Sequence, residues 1–394
     1  MRFRKISAII ICAALIAVTL AGCGGKDAEI EEPVPSETTQ PPTAELVPAE
    51  SPAAGETPHS HGIDYDGAFA AFPPDTVMIS AGEYSVTWAE LFFHLRSNIN
   101  GLLQSFGEID DWSEIVYNGM TFAEVAIQYA SENALMYKGV EYGANLTGTT
   151  LSGEVTESIR ADYVSATEQY GGEEEFLSVI WVMDGICSRD LFDYLVRTSY
   201  LANAVYTDMF GEYGELVTDE EAADFTAYDG YLMAKHILRL KAEEGDDNAL
   251  DEATEVLELL GAYDGDDLES YFDELMNEYT EDIDGLAMFP NGYLFQYGDM
   301  VQEFFNACIA IEPGEFSGIV ETTYGYHIIL RLPLNFDEIP YYYYRQYDFT
   351  TLRNLAALGM FDAAMYEWMD AIAPEYTADY RSMDIAEIFK NCEH

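Results

Sequence analysis

Apolar and polar positions alternate over "TVMISAGEYSVTW", with Val77 and Ile79 before Ala81-Gly82 and Tyr84 and Val86 after it. A period of two broken at a glycine predicts a short hairpin, with ordered structure starting near Asp75. The period then lengthens. Thr87 ahead of Glu90, and Thr121 ahead of Glu124, each set a hydroxyl three residues before an acid at the head of an apolar stripe, which predicts capped helices. Helical periodicity continues through "FAEVAIQYASENALMY" and "VTESIRADYVSATEQY" to about Tyr228. At Gly230 the texture changes. "YLMAKHILRL" reads as a strand without an acid, and "NALDEATEVLELLGAY" and "DDLESYFDELMNEYTED" read as amphipathic helices. "NGYLFQYGDM" leads into a short helix, "VQEFFNACIAI", and "GEFSGIVETTYGYHIILRLPL" holds two further strands around a turn. This order predicts an α+β block over 230–334 on one antiparallel sheet. Helical periodicity returns after Pro333 in "YDFTTLRNLAALGMFDAAMYEWMDAIA". The expected architecture is therefore a mainly α-helical domain, 76–229 with C-terminal helices at 335–394 packing on it, interrupted by an inserted sheet domain.

The N-terminus carries a different pattern. Arg2, Arg4 and Lys5 precede an apolar run from Ile6 to Leu20, too short for a spanning helix and suited to an export signal. The run ends in Leu20-Ala21-Gly22-Cys23, which resembles the bacterial lipobox. That resemblance implies removal of residues 1–22 and a diacylglyceryl anchor on Cys23, two chains being enough for stable membrane attachment. Residues 23–75 are rich in Pro, Glu, Thr and Ser and read as an extended, disordered tether. His59 and His61 in "HSHGIDYDG" are read as part of this solvated linker rather than as a metal grip. Cys187, Cys308 and Cys392 make an odd set without disulfide or zinc spacing.

Charge removes whole classes of function. The 394 residues carry 17 Lys and Arg against 72 Asp and Glu, a net charge of −55. Phosphate neutralisation needs basic patches, so nucleic acid is excluded as a partner, and so is electrostatic adhesion to anionic lipid. The same charge keeps a protein that handles sticky clients soluble and biases it toward basic ones. No GxSxG, P-loop, HExxH or EF-hand pattern occurs, and no metal or cofactor is expected.

The six histidines are informative by their scarcity. His236 in "MAKHILRL" and His327 in "GYHIILRL" both interrupt apolar strands. With "AKHILR", "EYTED", "GDMVQEF" and "EPGEFSGIVETTYGYHIIL", residues 230–334 resemble the parvulin-type (PpiC) peptidyl-prolyl isomerases. A lipobox with flanking helical regions is similar to the PrsA-like extracytoplasmic foldases and, more distantly, to SurA-like chaperones. The resemblance implies a catalytic group of His236, Asp282, Thr322 and His327. It implies a proline-ring floor of Met300 and Phe304, with Tyr324 beside the second histidine. No cofactor is implied. One departure stands out: "FPNGYLF" replaces the usual "GGDLG", so Gly292 falls near an apolar leucine of the family and the wall would come from Tyr293, Leu294 or Phe295, of which Phe295 is taken as substrate-binding. The acids of "RLKAEEGDDNA" disfavour phosphorylated substrates.

The expected function is a lipid-anchored foldase on the extracytoplasmic face of the cell membrane. It isomerises X-Pro bonds of unfolded or newly exported polypeptides and has chaperone activity; a homodimer is compatible with the resemblance. The alternative is a non-catalytic holdase with a degenerate parvulin domain, and a solute-capturing lipoprotein fits the anchor but not residues 230–334. "YYYYR" at Tyr341–Arg345 is read as core and edge packing, with a client surface as the other reading.

Overall fold

The computed structural model describes residues 63–241, 248–337 and 350–390. The expected signal segment, Cys23, His59, His61, Tyr341–Arg345 and Cys392 lie outside the described residues. The chain divides into two compact units, residues 206–361 interrupting a unit made of the preceding residues to Val205 and of the residues from Asp362 onward. The fold is α+β. The inserted unit begins at Tyr206 and ends at Phe361, whereas the sequence pattern suggests a sheet domain over 230–334.

In the first unit, a hairpin of β1 (Val77–Ala81) and β2 (Tyr84–Thr87) leads into α2 (Trp88–Phe106). The pairing slips between Val77 and Ile79, so the alternation expected there breaks: Val77 is exposed while Met78 and Ile79 are both buried. Thr87 and Glu90 form a reciprocal capping box at the head of α2, and Thr121 and Glu124 do the same for α3 (Phe122–Thr147). Each satisfies backbone donors that the first turn leaves unpaired. Thr87→Ala is therefore expected to lower the stability of this unit by about 1 kcal/mol. Urea unfolding followed by tryptophan emission reads that loss.

A small hairpin, β3 (Ile115–Tyr117) with β4 (Met120–Thr121), joins α2 to α3. Three further helices follow, α4 (Gly153–Gln169), α5 (Glu173–Asp184) and α6 (Arg189–Phe210). The C-terminal segment closes the same unit. β9 (Glu375–Tyr376) adds to β1, giving the strand order β2-β1-β9. Ile372, Ile385 and Phe389 join Trp88, Leu91, Phe92 and Ile99 in one core.

This unit begins earlier in the chain than the sequence suggests. A short helix, α1 (Tyr65–Phe69), is part of this core. Tyr65 is 8% exposed and donates to Asn100, Trp88 donates to the Phe69 carbonyl at 2.7 Å, and Trp181 donates to Asp66 at 2.6 Å. The aromatic residues of "IDYDGAFAAF" supply the apolar area that docks this segment.

The inserted unit opens with α7 (Asp219–Asp229), capped by Thr218 and Glu221. Its sheet has the order β6-β5-β8-β7, built from β5 (Leu232–Leu240), β6 (Tyr293–Phe295), β7 (Val320–Glu321) and β8 (Gly325–Leu332). β5 and β8 pair from Met233↔Leu332 to Leu240↔Gly325. Both faces are covered. Ile237, Ile328 and Leu330 pack on α8 (Ala249–Ala262) and α9 (Leu268–Tyr279), through Val256, Leu260 and Phe272. Ala234 and Ile329 pack on the other side with Phe304 and Cys308 of α11 (Gln302–Ile309). Burial on two sides explains why these strands are apolar without alternation. The strand β6 and the short helix α10 (Ile283–Met288) had no separate signal in the sequence. α12 (Leu352–Ala371) leads the chain back out. No helix among the described residues is long and apolar enough to cross a membrane.

Candidate active site

The register of β5 and β8 creates the site. His236 lies opposite Ile329 and His327 opposite Leu238, so the two histidines are diagonal neighbours on one face. Their Nδ1 atoms are 3.0 Å apart and their rings stack at 5.1 Å. The Phe304 ring stands nearly perpendicular to both, its centroid 5.4 Å from that of His236 and 5.6 Å from that of His327.

β6 pairs with β5 only as far as Ala234, which leaves the edge of β5 free further along. Residues after α9 take that edge: Leu238 donates to Thr280 Oγ1 and Glu281 donates to the Leu238 carbonyl at 2.9 Å. This brings Asp282, the N-cap of α10, alongside His236. Its Oδ2 lies 3.0 Å from His236 Nε2 and accepts from the Tyr293 hydroxyl at 2.6 Å, and its Oδ1 accepts from the Gly285 amide. On the far side of the pair, Thr322 Oγ1 is 2.8 Å from His327 Nε2. The β7–β8 turn holds that threonine, whose amide donates to the Gly325 carbonyl. Ser317 continues the ladder beyond β7, its amide donating to Ile329 and its hydroxyl accepting from Ile329.

Donor counting gives the network a direction. A carboxylate only accepts, so His236 presents Nε2–H to Asp282. In the arrangement where each imidazole carries a single proton, His236 accepts at Nδ1 from His327 Nδ1–H and His327 Nε2 accepts from the Thr322 hydroxyl. Thr322 Oγ1 receives in turn the amide of Tyr324 at 3.1 Å. The electrostatics agree. Burial, and then the neighbouring His236, depress the pKa of His327 from 6.5 to about 3. The hydrogen bond from His236, ahead of those from Tyr293 and Gly285, holds Asp282 down at about 2.

Of the residues singled out in the sequence, His236, Asp282, Thr322, His327 and Phe304 come together. Met300 is half-buried against the same cluster as Phe304. Tyr324 is 61% exposed on the turn and reaches the network only through its amide. Phe295, expected to bind substrate, is instead 1% exposed and lies behind Phe304, ring to ring at 5.8 Å, so it supports the floor without facing solvent. Tyr293 appeared in the sequence only as a wall candidate; its bond to Asp282 carried no sequence signal. Cys308 is fully buried, which pushes its thiol up to about 11 and leaves it inert at neutral pH. Among the described residues, no group of three His, Cys, Asp or Glu is placed to hold a metal ion.

Residues 236–332 match the family model "Rotamase: PPIC-type PPIASE domain". This segment is a PPIC-type PPIase domain. The match begins on His236 and ends with β8, so it covers the whole histidine network. The chain is also 35% identical over 182 residues to "Foldase protein PrsA" of Halalkalibacterium halodurans, covering 44% of this chain and 49% of that protein. It is 28% identical over 191 residues to the protein of the same name from Oceanobacillus iheyensis, covering 46% of this chain and 58% of that protein. The chain thus spans about half the length of the curated relatives it matches. A solved structure of the peptidylprolyl isomerase PrsA from Bacillus cereus is 17% identical, covering 82% of this chain and all of the other, with a TM-score of 0.31, too low for the likeness to carry an argument.

Proposed function

We propose that the PPIase domain isomerises X-Pro bonds in unfolded polypeptides and that the whole chain is a foldase held outside the cell membrane by a lipid on Cys23. The observation that supports this best is the directed network from Thr322 through His327 and His236 to Asp282, packed against the Phe304 ring inside the matched domain.

Rotation about a prolyl bond breaks no covalent bond. Its barrier of about 18–20 kcal/mol arises because the twisted amide loses resonance. The twisted form has less charge separation than the planar one, so an apolar floor that strips water favours it. Phe304 and Met300 supply that floor. The imidazole pair supplies a dipolar field from beneath it, with His327 held neutral at pH 7 by its depressed pKa, and rotation, breaking no covalent bond, requires no proton transfer. His327 and Thr322 are each 4% exposed, and they act through His236 and the shape of the floor. The cations at the end of β5 are already engaged. Arg239 is bound by Glu252 and the Tyr279 carbonyl, and Lys241 by Glu321 and the Thr322 carbonyl. Neither is free to recognise a phosphate.

The deciding experiment follows cis-to-trans exchange of unphosphorylated X-Pro peptides, with the His236→Ala, His327→Ala double variant alongside. We expect acceleration by the wild type, none by the variant, and no gain from a phosphoserine at the position before proline. A folded wild type that accelerates nothing would leave the holdase reading. Gly292 favours that second reading, since it stands near the position where the family resemblance expects an apolar leucine. Suppression of client aggregation would then be the property to measure. Release of the protein from membranes by Cys23→Ser would test the anchor.

A further inference from the structure

We infer that Tyr293 is a positioning residue of this PPIase site, its phenol fixing the Asp282 carboxylate and through it the direction of the histidine network. The inference rests on the functional reading above and adds to it a residue from "FPNGYLF", the segment that departs from the family pattern. β6 pairs Tyr293 with Ala234, which puts its side chain on the face of β5 that carries His236 two residues on. The ring is 6% exposed, 5.4 Å from the His236 ring and 4.8 Å from Phe289. Its hydroxyl donates to Oδ2 of Asp282, the oxygen that also receives His236 Nε2–H. Two donors converge on Oδ2 while the Gly285 amide holds Oδ1. The carboxylate is thereby oriented from both ends, and His236 retains Nδ1 as its acceptor.

Two glycines show that the slot is shaped around this phenol. An ideal Cβ on Gly285 would fall 1.8 Å from the Tyr293 hydroxyl and 2.1 Å from Asp282 Oδ2. Glycine is a poor helix residue, and within α10 its presence is accounted for by the two oxygens that occupy the place of a side chain. Gly292 has φ +102°, and a Cβ there would lie 3.0 Å from the Ala234 carbonyl. A residue without Cβ lets β6 begin this close to β5, which sets the register of Tyr293.

The test uses the full chain labelled with 15N-histidine, comparing wild type, Tyr293→Phe, Gly285→Ala and the double variant. In the wild type the ring nitrogens should report one tautomer for His236, protonated at Nε2. Tyr293→Phe should move His236 toward a mixture of tautomers and lower kcat/KM for an X-Pro peptide about tenfold, mostly in kcat. Gly285→Ala should do the same from the other side of the hydroxyl, and the double variant should lose less than the product of the single losses. A Tyr293→Phe protein that melts lower but keeps both tautomer and kcat/KM would overturn the inference, leaving Tyr293 a packing residue. So would independent, multiplicative losses in the double variant. If the wild type accelerates no prolyl exchange, the functional reading fails by itself, and a tautomer shift in Tyr293→Phe would still support the positioning role.

Discussion

Phe304→Ala is expected to cost the inserted unit about 3–5 kcal/mol and to lower kcat/KM for X-Pro peptides by about a hundredfold or more. The stability loss follows from burial. Phe304 is 3% exposed on α11 and shares a cluster with Ala234, Phe295, Cys308 and Ile329, so truncation leaves a cavity between helix and sheet. The activity loss has a separate cause. The ring stands nearly perpendicular to both imidazoles, at 88° to His236 and 82° to His327, and keeps water off them. Water in the cavity would solvate the planar amide and let the pKa of His327 rise back toward 6.5. Phe304→Leu separates the two effects, since it keeps most of the volume and should cost less than about 1.5 kcal/mol in stability while still removing the aromatic ring. Urea unfolding followed by far-UV circular dichroism reads the first quantity and the peptide assay the second. A Phe304→Ala protein with wild-type kcat/KM would show that substrate does not use this floor.

The histidine pair was legible because a polar ring inside a run such as "AKHILR" is conspicuous, and two such runs in one block ask to be paired. The diagonal placement of His236 and His327 then follows from a register that continuous β5–β8 pairing supplies. The capping boxes at Thr87 and Thr121 were legible for a related reason: their partners lie three residues away, within the reach of a local pattern. Contacts made by tertiary closure were not. The Tyr293–Asp282 bond depends on β6 stopping at Ala234 and on residues 280–282 filling the vacated edge, which no local pattern encodes. β9 has two residues and exists because β1 offers an edge. The boundaries of the inserted unit fall within α6 and α12, where helical periodicity runs on without a break. α1 was concealed by the composition of the chain before it, although its own residues are as aromatic as the core they enter.

Acidification from pH 7 to pH 5 is expected to destabilise both units, each by about 2 kcal/mol, through one buried histidine apiece. In the first unit, burial and then the charge of Lys138 depress the pKa of His94 from 6.5 to about 3; in the inserted unit His327 is depressed to about 3 as well. Each folded state therefore holds its imidazole neutral, whereas the unfolded chain binds a proton as pH falls through 6.5. The stabilisation is complete above that pH and declines by about 1.4 kcal/mol for every unit below it, until the folded-state pKa is reached. Asp282 acts in the same direction but lower, because a carboxylate held at about 2 loses its advantage only below the ordinary aspartate range near 3.9. In the first unit the carboxyls of Asp184 and Asp362, raised by burial, act in the opposite sense, so the His94 contribution is read as the difference between wild type and His94→Gln. All four tryptophans, Trp88, Trp112, Trp181 and Trp368, belong to the first unit, so their emission during urea unfolding reports His94. His94→Gln should flatten the pH dependence of that signal, and His327→Gln should leave it unchanged while flattening the part of the circular dichroism transition that the tryptophans do not see. His94 lies edge-on to Phe93 and Tyr137, with the Lys138 ammonium held over the Tyr194 ring and bound to Glu90. A second cation there would face a site already occupied by one. A tryptophan-reported midpoint that shifts equally between pH 7 and pH 5 in wild type and His94→Gln would mean that His94 can be protonated in place, and that this pocket tolerates a charge that its burial should exclude.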